Sequence, residues 1–235
     1  MTRRRWIADE HSADRAALTG AHAAHLARTL RARVGQEFDV SCGDAVRHAT
    51  ITSVSDDRVE FSLGEPVSAN AATPITLLLA VFKFDRMEWA IEKCTELNVT
   101  TIVPVIARRT EKHLAQSAEK RVERWRRIAR EAAQQSRRIA PPDVADPIKL
   151  ADGLKLAASV RIVLSENEQQ TELKDLLESS PASSVAFAVG PEGGWTEDEL
   201  RTFAEAGWAS ASLGDTILRA ETAAIAAMAI IRSIV

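Results

Sequence analysis

The stretch Val185-Ala186-Phe187-Ala188-Val189-Gly190-Pro191-Glu192-Gly193-Gly194-Trp195-Thr196 decides how the rest of the chain is read. Its five leading apolar residues, β-branched at both ends, have the length and composition of a buried strand, and the Gly-Pro-Glu-Gly-Gly that follows breaks it into a loop. A helix start comes next, marked three ways. Thr196 is a cap, Glu199 stands three residues on as its capping-box partner, and Trp195 and Leu200 occupy the two staple positions. A glycine-rich turn at the carboxyl end of a buried α/β strand is a common ligand site. Neither the dinucleotide nor the P-loop glycine fingerprint occurs, and the acidic Glu192 is a poor neighbour for a pyrophosphate, so a neutral or cationic ligand fits better. Taken alone, the stretch is equally compatible with a plain tight turn.

A second stretch repeats the arrangement. A short strand is expected over residues 208–213, followed by a glycine loop and a helix in Leu213-Gly214-Asp215-Thr216-Ile217-Leu218-Arg219-Ala220-Glu221-Thr222-Ala223. In this order and separation the two stretches resemble the RsmE family of 16S rRNA (uracil-N3)-methyltransferases, within the SPOUT superfamily. Residues 83–99, opening with Lys83-Phe84-Asp85-Arg86-Met87 and continuing through Lys93-Cys94-Thr95-Glu96-Leu97-Asn98-Val99, carry the same resemblance, as do residues 131–136 and 25–35. It implies an α/β fold in which a C-terminal SPOUT methyltransferase domain is threaded into a deep trefoil knot, preceded by an N-terminal PUA-like β-barrel domain that binds RNA. It also implies S-adenosylmethionine as cofactor, 16S rRNA of the small ribosomal subunit as substrate, and a homodimer.

On this resemblance Gly190, Pro191, Glu192, Gly193 and Gly194, with Leu213, Gly214, Ile217, Leu218, Thr222 and Ala223, would wrap the cofactor. Arg219 is the candidate for stabilising negative charge that develops on the uracil. Glu221, one helical step away, is either a proton acceptor or the ion-pair partner of Arg219. Glu192 either binds ligand or sits at the favourable end of the next helix dipole. Thr216 departs from the family, in which many members have Arg, and this puts a catalytic or RNA-binding duty of that position in doubt. Arg4, Arg5, Arg28 and Arg31, with Arg3 and Arg33, are candidates for RNA phosphate contacts or are solvated surface arginines. His25 fits helical packing; His11, His22, His48 and His113 show no partner spacing, and no metal site is read. Two other functions remain open: a SPOUT enzyme for another RNA or base atom, and a non-catalytic RNA-binding protein of ribosome assembly.

Composition sets the frame. With 235 residues, 46% of them apolar, the chain has material for one large or two small domains. Small residues and two prolines in 65–74 mark a linker, so the expected domains are 1–70 and 74–235. The longest apolar run, residues 223–231, is far below the ~20 needed to span a bilayer, and no apolar segment follows the basic N-terminus, so a cytoplasmic protein without a membrane segment is expected. Cys42 and Cys94 lack metal-ligand spacing and read as small buried hydrophobes. The net charge is −3, yet residues 1–35 hold seven Arg against three acids and residues 119–138 hold eight Lys or Arg against three. Residues 165–205 hold ten acids against two basic residues. Such segregation lets an acidic protein track a phosphate backbone.

Elsewhere the patterns predict a helix over residues 21–33, then strands over 37–41, 46–54 and 58–63 with turns at Cys42-Gly43-Asp44 and Ser55-Asp56-Asp57. A buried strand is expected over 75–81 and a helix with Met87, Ala90, Ile91, Cys94 and Leu97 on one face, ended by Asn98. A strand over 101–107, a long basic helix over 118–138 with Val122, Trp125, Ala129, Ala132 and Ala133 inward, a strand over 160–164 and a helix over 173–178 complete the series. The last helix, over 221–235, is apolar on nearly every side and therefore reads as buried, within its domain or at a subunit interface.

Overall fold

The structure is a computed structural model and describes residues 5–43, 45–67 and 72–235. Arg3, Arg4, Asp44 and residues 68–71 of the expected linker lie outside the described residues. The chain forms two units, Met1–Ala71 with Ala133–Pro141, and Ala72–Ala132 with Pro142–Val235.

In the first unit the strands are β1 (Arg5–Ile7), β2 (Glu10–His11), β3 (Arg15–Thr19), β4 (Glu37–Cys42), β5 (Ala45–Val54) and β6 (Arg58–Val67), with α1 (Gly20–Ala24) and a π-helical turn, His25–Thr29, between β3 and β4. The sheet order is β1-β4-β5-β6-β3-β2. Its two outer strands are consecutive in sequence: the Ala8 N–H donates to the Ser41 carbonyl and the Asp9 N–H to the Ala17 carbonyl, so the short β1–β2 link bonds to both sides. Val40, Ile51, Val59 and Phe61 form the core with Leu18 and Leu26. The expectation that a helix opens this unit is corrected. Three strands come first, because Arg15–Thr19, although alanine-rich, pairs along its whole length with β6. The helix is also shorter than expected. It ends at Thr29, where Arg31 takes a left-handed φ of 50°, and Gly35 (φ 87°) turns the chain towards β4.

The second unit is built on β7 (Ile75–Ala80), β8 (Thr101–Ile106), β9 (Asp143–Val144), β10 (Ile148–Lys149), β11 (Val160–Leu164), β12 (Val185–Val189) and β13 (Ala209–Ala211). The order is β10-β8-β7-β12-β11-β13, with β9 beside β8, and every pairing is parallel. Parallel strands need crossovers, which cover both faces and explain the continuous apolar runs. They carry α2 (Phe84–Glu96), α3 (Lys112–Ser117), α4 (Val122–Gln135), α5 (Leu150–Gly153), α6 (Leu173–Glu178) and α7 (Glu197–Glu205), and α8 (Ala220–Ile234) follows the last strand. Alternation along β12 divides the core: Val185, Phe187 and Val189 join Met87, Trp125 and Met228 on one face, and Ala186 and Ala188 join Trp195, Phe203 and Trp208 on the other. Met87, Ala90, Ile91 and Cys94 are buried on α2, and Asn98 follows it with φ 74°, the left-handed stop expected of it.

Two elements have other bounds than the sequence pattern suggests. The basic helix begins at Val122, after a 3₁₀ turn at Glu119–Arg121, and ends at Gln135, where Arg137 turns left-handed (φ 61°). The strand expected over 208–213 is confined to Ala209–Ala211, because Trp208 packs its ring on Phe203 instead, 5.3 Å between centroids. Helix α8 is not buried all round: Ala224, Ala227, Met228 and Ile231 are enclosed, whereas Ile225, Ile230 and Ile234 are only partly covered. No helix among the described residues is long and apolar enough to cross a membrane.

Candidate active site

Four chain segments leave the carboxyl ends of the neighbouring strands β7, β12, β11 and β13 on the same edge of the sheet, the position where open α/β sheets bind ligands. They enclose a cavity of about 520 Å³. Its lining comes from Lys83 and Arg86 after β7, Gly190–Trp195 after β12, Ser165 and Glu166 after β11, and Ser212–Gly214 with Thr216–Ala220 and Ala223 after β13.

The loop after β12 is held from both sides. The Gly194 N–H donates to the Pro191 carbonyl at 2.8 Å, closing a turn, and Gly194 takes φ 68°. Arg109 reaches over from the segment after β8 and donates to the Gly193 and Trp195 carbonyls. Its side chain lies so close that a Cβ on Gly193 would stand 3.3 Å from the arginine Cδ. On the helix side the capping box forms in full: Thr196 Oγ1 accepts from the Glu199 N–H at 3.2 Å, and Glu199 Oε2 accepts from the Thr196 N–H at 2.9 Å. The second Glu199 oxygen accepts from the Arg108 N–H at 2.8 Å, so a buried carboxylate ties two loops together. The Lys83 ammonium stands 3.7 Å from Glu192 across the cavity.

The loop after β13 is anchored by Ser212, whose N–H donates to the Thr171 carbonyl and whose carbonyl accepts from Leu173. Gly214 takes φ 101°, and Ile217 is 86% exposed. Arg219 caps α8 through its carbonyl, which accepts from the Ala223 N–H at 2.8 Å, and its guanidinium has no partner among the described residues.

Glu221 is the departure. Of its two candidate roles, proton acceptor or partner of Arg219, the ion pair with Arg219 does not form; Glu221 is buried in the first turn of α8 and pairs with Arg86 of α2. α2 and α8 pack together, which brings the two groups into contact across 135 positions. Sequence proximity had pointed to Arg219, but helix phase turns Glu221 inward and leaves Arg219 outside the first turn. One Glu221 oxygen, Oε2, has no hydrogen-bond partner among the described residues.

The cavity thus brings together Gly190, Pro191, Glu192, Gly193, Gly194, Leu213, Gly214, Ile217, Leu218, Ala223 and Arg219. Thr222 is exposed and, like Glu221, is not among the lining residues. Lys83, Arg86, Ser165 and Glu166 line it without having been singled out for it. Lys83 and Arg86 lie in the stretch Lys83-Phe84-Asp85-Arg86-Met87, whose family resemblance is the available signal; no sequence pattern marks Glu166. In the first unit Arg28 is exposed and pairs with Asp56 at 2.7 Å, Arg31 is exposed, and Arg5 donates to the Arg137 carbonyl. His25 packs its ring 6.0 Å from that of Trp6. Among the described residues no group of three or more His, Cys, Asp or Glu side chains is arranged to hold a metal ion.

Comparison with known proteins agrees with this geometry. Residues 69–232 match the model of the RNA methyltransferase domain family. The ribosomal RNA small subunit methyltransferase E of Rickettsia conorii is 34% identical over 92% of this chain and 88% of its own length. The crystal structure of ribosomal RNA small subunit methyltransferase E from Neisseria gonorrhoeae bound to S-adenosyl methionine superposes with a TM-score of 0.86 at 31% identity, covering 99% of this chain and 98% of that one. A putative methyltransferase from Legionella pneumophila in complex with the same cofactor gives 0.84 at 26% identity, covering 99% and 98%. The chain belongs to the ribosomal RNA small subunit methyltransferase E family.

Proposed function

We infer that this protein transfers the methyl group of S-adenosylmethionine to N3 of a uridine in the 16S rRNA of the small ribosomal subunit. The observation that carries this reading is the cavity formed by the two glycine loops at the carboxyl edge of the parallel sheet. Its residues fit the cofactor. The volume lies within the ~300–1,000 Å³ of small-molecule sites, and the lining carries both signs of charge, as a zwitterionic ligand requires. The bound cofactor supplies an electrophilic methyl group on a sulfonium.

The remaining work falls to the chain. Gly190–Gly194 and Leu213–Leu218 fix the ligand through backbone groups, and holding two reactants in contact supplies a large part of the rate. Arg219, unpaired at the cavity edge, stabilises the negative charge that spreads over the uracil carbonyl oxygens as the imide proton leaves. Glu221, engaged by Arg86 and away from the lining, holds that guanidinium at the cavity and is not the proton acceptor in this reading.

The larger architecture follows the same reading. The link between the outer strands of the first sheet supports a PUA-like barrel, and Arg28 and Arg31, with Arg4 and Arg5, are its proposed RNA contacts. Helix α8 leaves β13 at the sheet margin yet packs on α2 and β12, a return path that supports a knotted C-terminus. A second copy covering the half-open side of α8 accounts for Ile225, Ile230 and Ile234 and supports a homodimer. A ribosomal RNA substrate makes the site of action cytoplasmic.

Arg219→Ala tests the assignment. It should lower methyl transfer to small ribosomal subunits by at least 100-fold, the scale of losing one charge-stabilising donor, while cofactor affinity changes little. Unchanged transfer would remove Arg219 from the chemistry.

A further inference from the structure

The loop after β11 contains a carboxylate that the proposed chemistry leaves unused. Ser165 is tied to the sheet through its N–H, which donates to the Ala211 carbonyl, and its hydroxyl accepts from the Asn167 N–H. Glu168 accepts from the Gln170 and Thr171 N–H groups, and the Gln170 contact above all holds its carboxyl below the ordinary range. The loop is therefore shaped by its own hydrogen bonds. Between these two residues Glu166 makes no hydrogen bond or ion pair with any described residue, and its side chain lines the cavity. It lies against Gly194: a Cβ there would stand 2.5 Å from Glu166 Oε1.

The position decides what this carboxylate meets. Both signs of charge gather where the segments after β7 and β12 meet, in Lys83 and Arg86 from the first and Glu192 from the second, which suits the ammonium and carboxylate of an amino-acid group. Glu166 follows β11, two strands from β7 and so about 10 Å away at ordinary strand spacing. A ligand with its amino-acid end at β7 lays its nucleoside end over β12 and β11. There the groups able to donate two hydrogen bonds to one carboxylate are the vicinal hydroxyls of the ribose.

We propose that Glu166 recognises the cofactor by accepting hydrogen bonds from the 2′- and 3′-hydroxyls of its ribose, and that Gly194 lacks a side chain so that this carboxylate can lie against the loop. The inference rests on the cofactor reading above. A carboxylate accepting from hydroxyls is a charge-assisted contact. Hydrogen bonds to charged groups correspond to about 10- to 100-fold in affinity.

Calorimetric titration of the full chain tests it, with S-adenosylmethionine, 5′-methylthioadenosine and the 2′,3′-dideoxy form of the latter. Glu166→Ala should weaken S-adenosylmethionine and methylthioadenosine by the same factor, about 10- to 100-fold, and Glu166→Gln by less. The dideoxy ligand should bind wild type and both variants alike. A loss confined to S-adenosylmethionine would assign the carboxylate to the ammonium or sulfonium, and no loss would remove it from recognition; either overturns the proposal. Wild-type protein that fails to bind S-adenosylmethionine would overturn the cofactor reading itself. Unchanged thermal midpoints for the two variants separate lost recognition from lost folding.

Discussion

Removing Arg86 should destabilise the second unit more than any other single change at the cavity. The Glu221 side chain is 2% exposed, its Oε2 has no hydrogen-bond partner among the described residues, and its other oxygen pairs with an Arg86 side chain that is itself 31% exposed. Arg86→Ala therefore leaves a buried carboxylate without compensation, which costs about 3–5 kcal/mol. Replacing both groups by apolar residues of similar size, Arg86→Met with Glu221→Leu, should recover most of that loss, because neither charge then has to be desolvated. Urea unfolding followed by tryptophan fluorescence reads the effect. Four of the five tryptophans, Trp89, Trp125, Trp195 and Trp208, belong to the second unit, so the signal reports it. With a slope of about 2 kcal/mol per molar, the midpoint should fall by roughly 2 M for Arg86→Ala and by much less for the paired variant. A single-variant cost below about 1 kcal/mol, or a paired cost equal to the sum of the two single ones, would show that the ion pair carries no burial penalty and would refute the reasoning.

Other outcomes follow from the same geometry. Glu199→Ala strands the N–H groups of Thr196 and Arg108 and should cost about 2–3 kcal/mol in the same unfolding assay; a value near zero would mean that water replaces the carboxylate. Gly194→Ala places a side chain at φ 68° and should cost about 1–2 kcal/mol, with a parallel loss of cofactor affinity as the added Cβ displaces Glu166. Burial pushes the Cys94 thiol up to about 12, so the reactive thiolate is absent at mildly alkaline pH. Iodoacetamide should then modify Cys94 only in denaturant, as peptide mass mapping would show; labelling of the native protein would contradict it.

The sequence carried the local features of the site well. The buried strand before Gly190, the capping box at Thr196 and Glu199, and the left-handed stop at Asn98 each depend on neighbours a few residues away, and each was readable for that reason. What escaped is non-local. Glu221 chose Arg86 over Arg219 because the partner is set by α2 packing on α8, which no spacing along the chain encodes. Glu166 enters the cavity only because β11 lies beside β12 in the sheet. The strand at Arg15–Thr19 was hidden because Ala16 and Ala17 favour helix locally, and pairing with β6 overrides that preference.

The most direct measurement is nucleoside mass spectrometry after the protein has been incubated with methyl-labelled S-adenosylmethionine and small ribosomal subunits that lack the modification, with naked 16S rRNA and tRNA in parallel. The expected product is labelled N3-methyluridine in 16S rRNA and none in tRNA. Cofactor binding without any methylated nucleoside, or label on another base atom or only in tRNA, would contradict the proposed reaction.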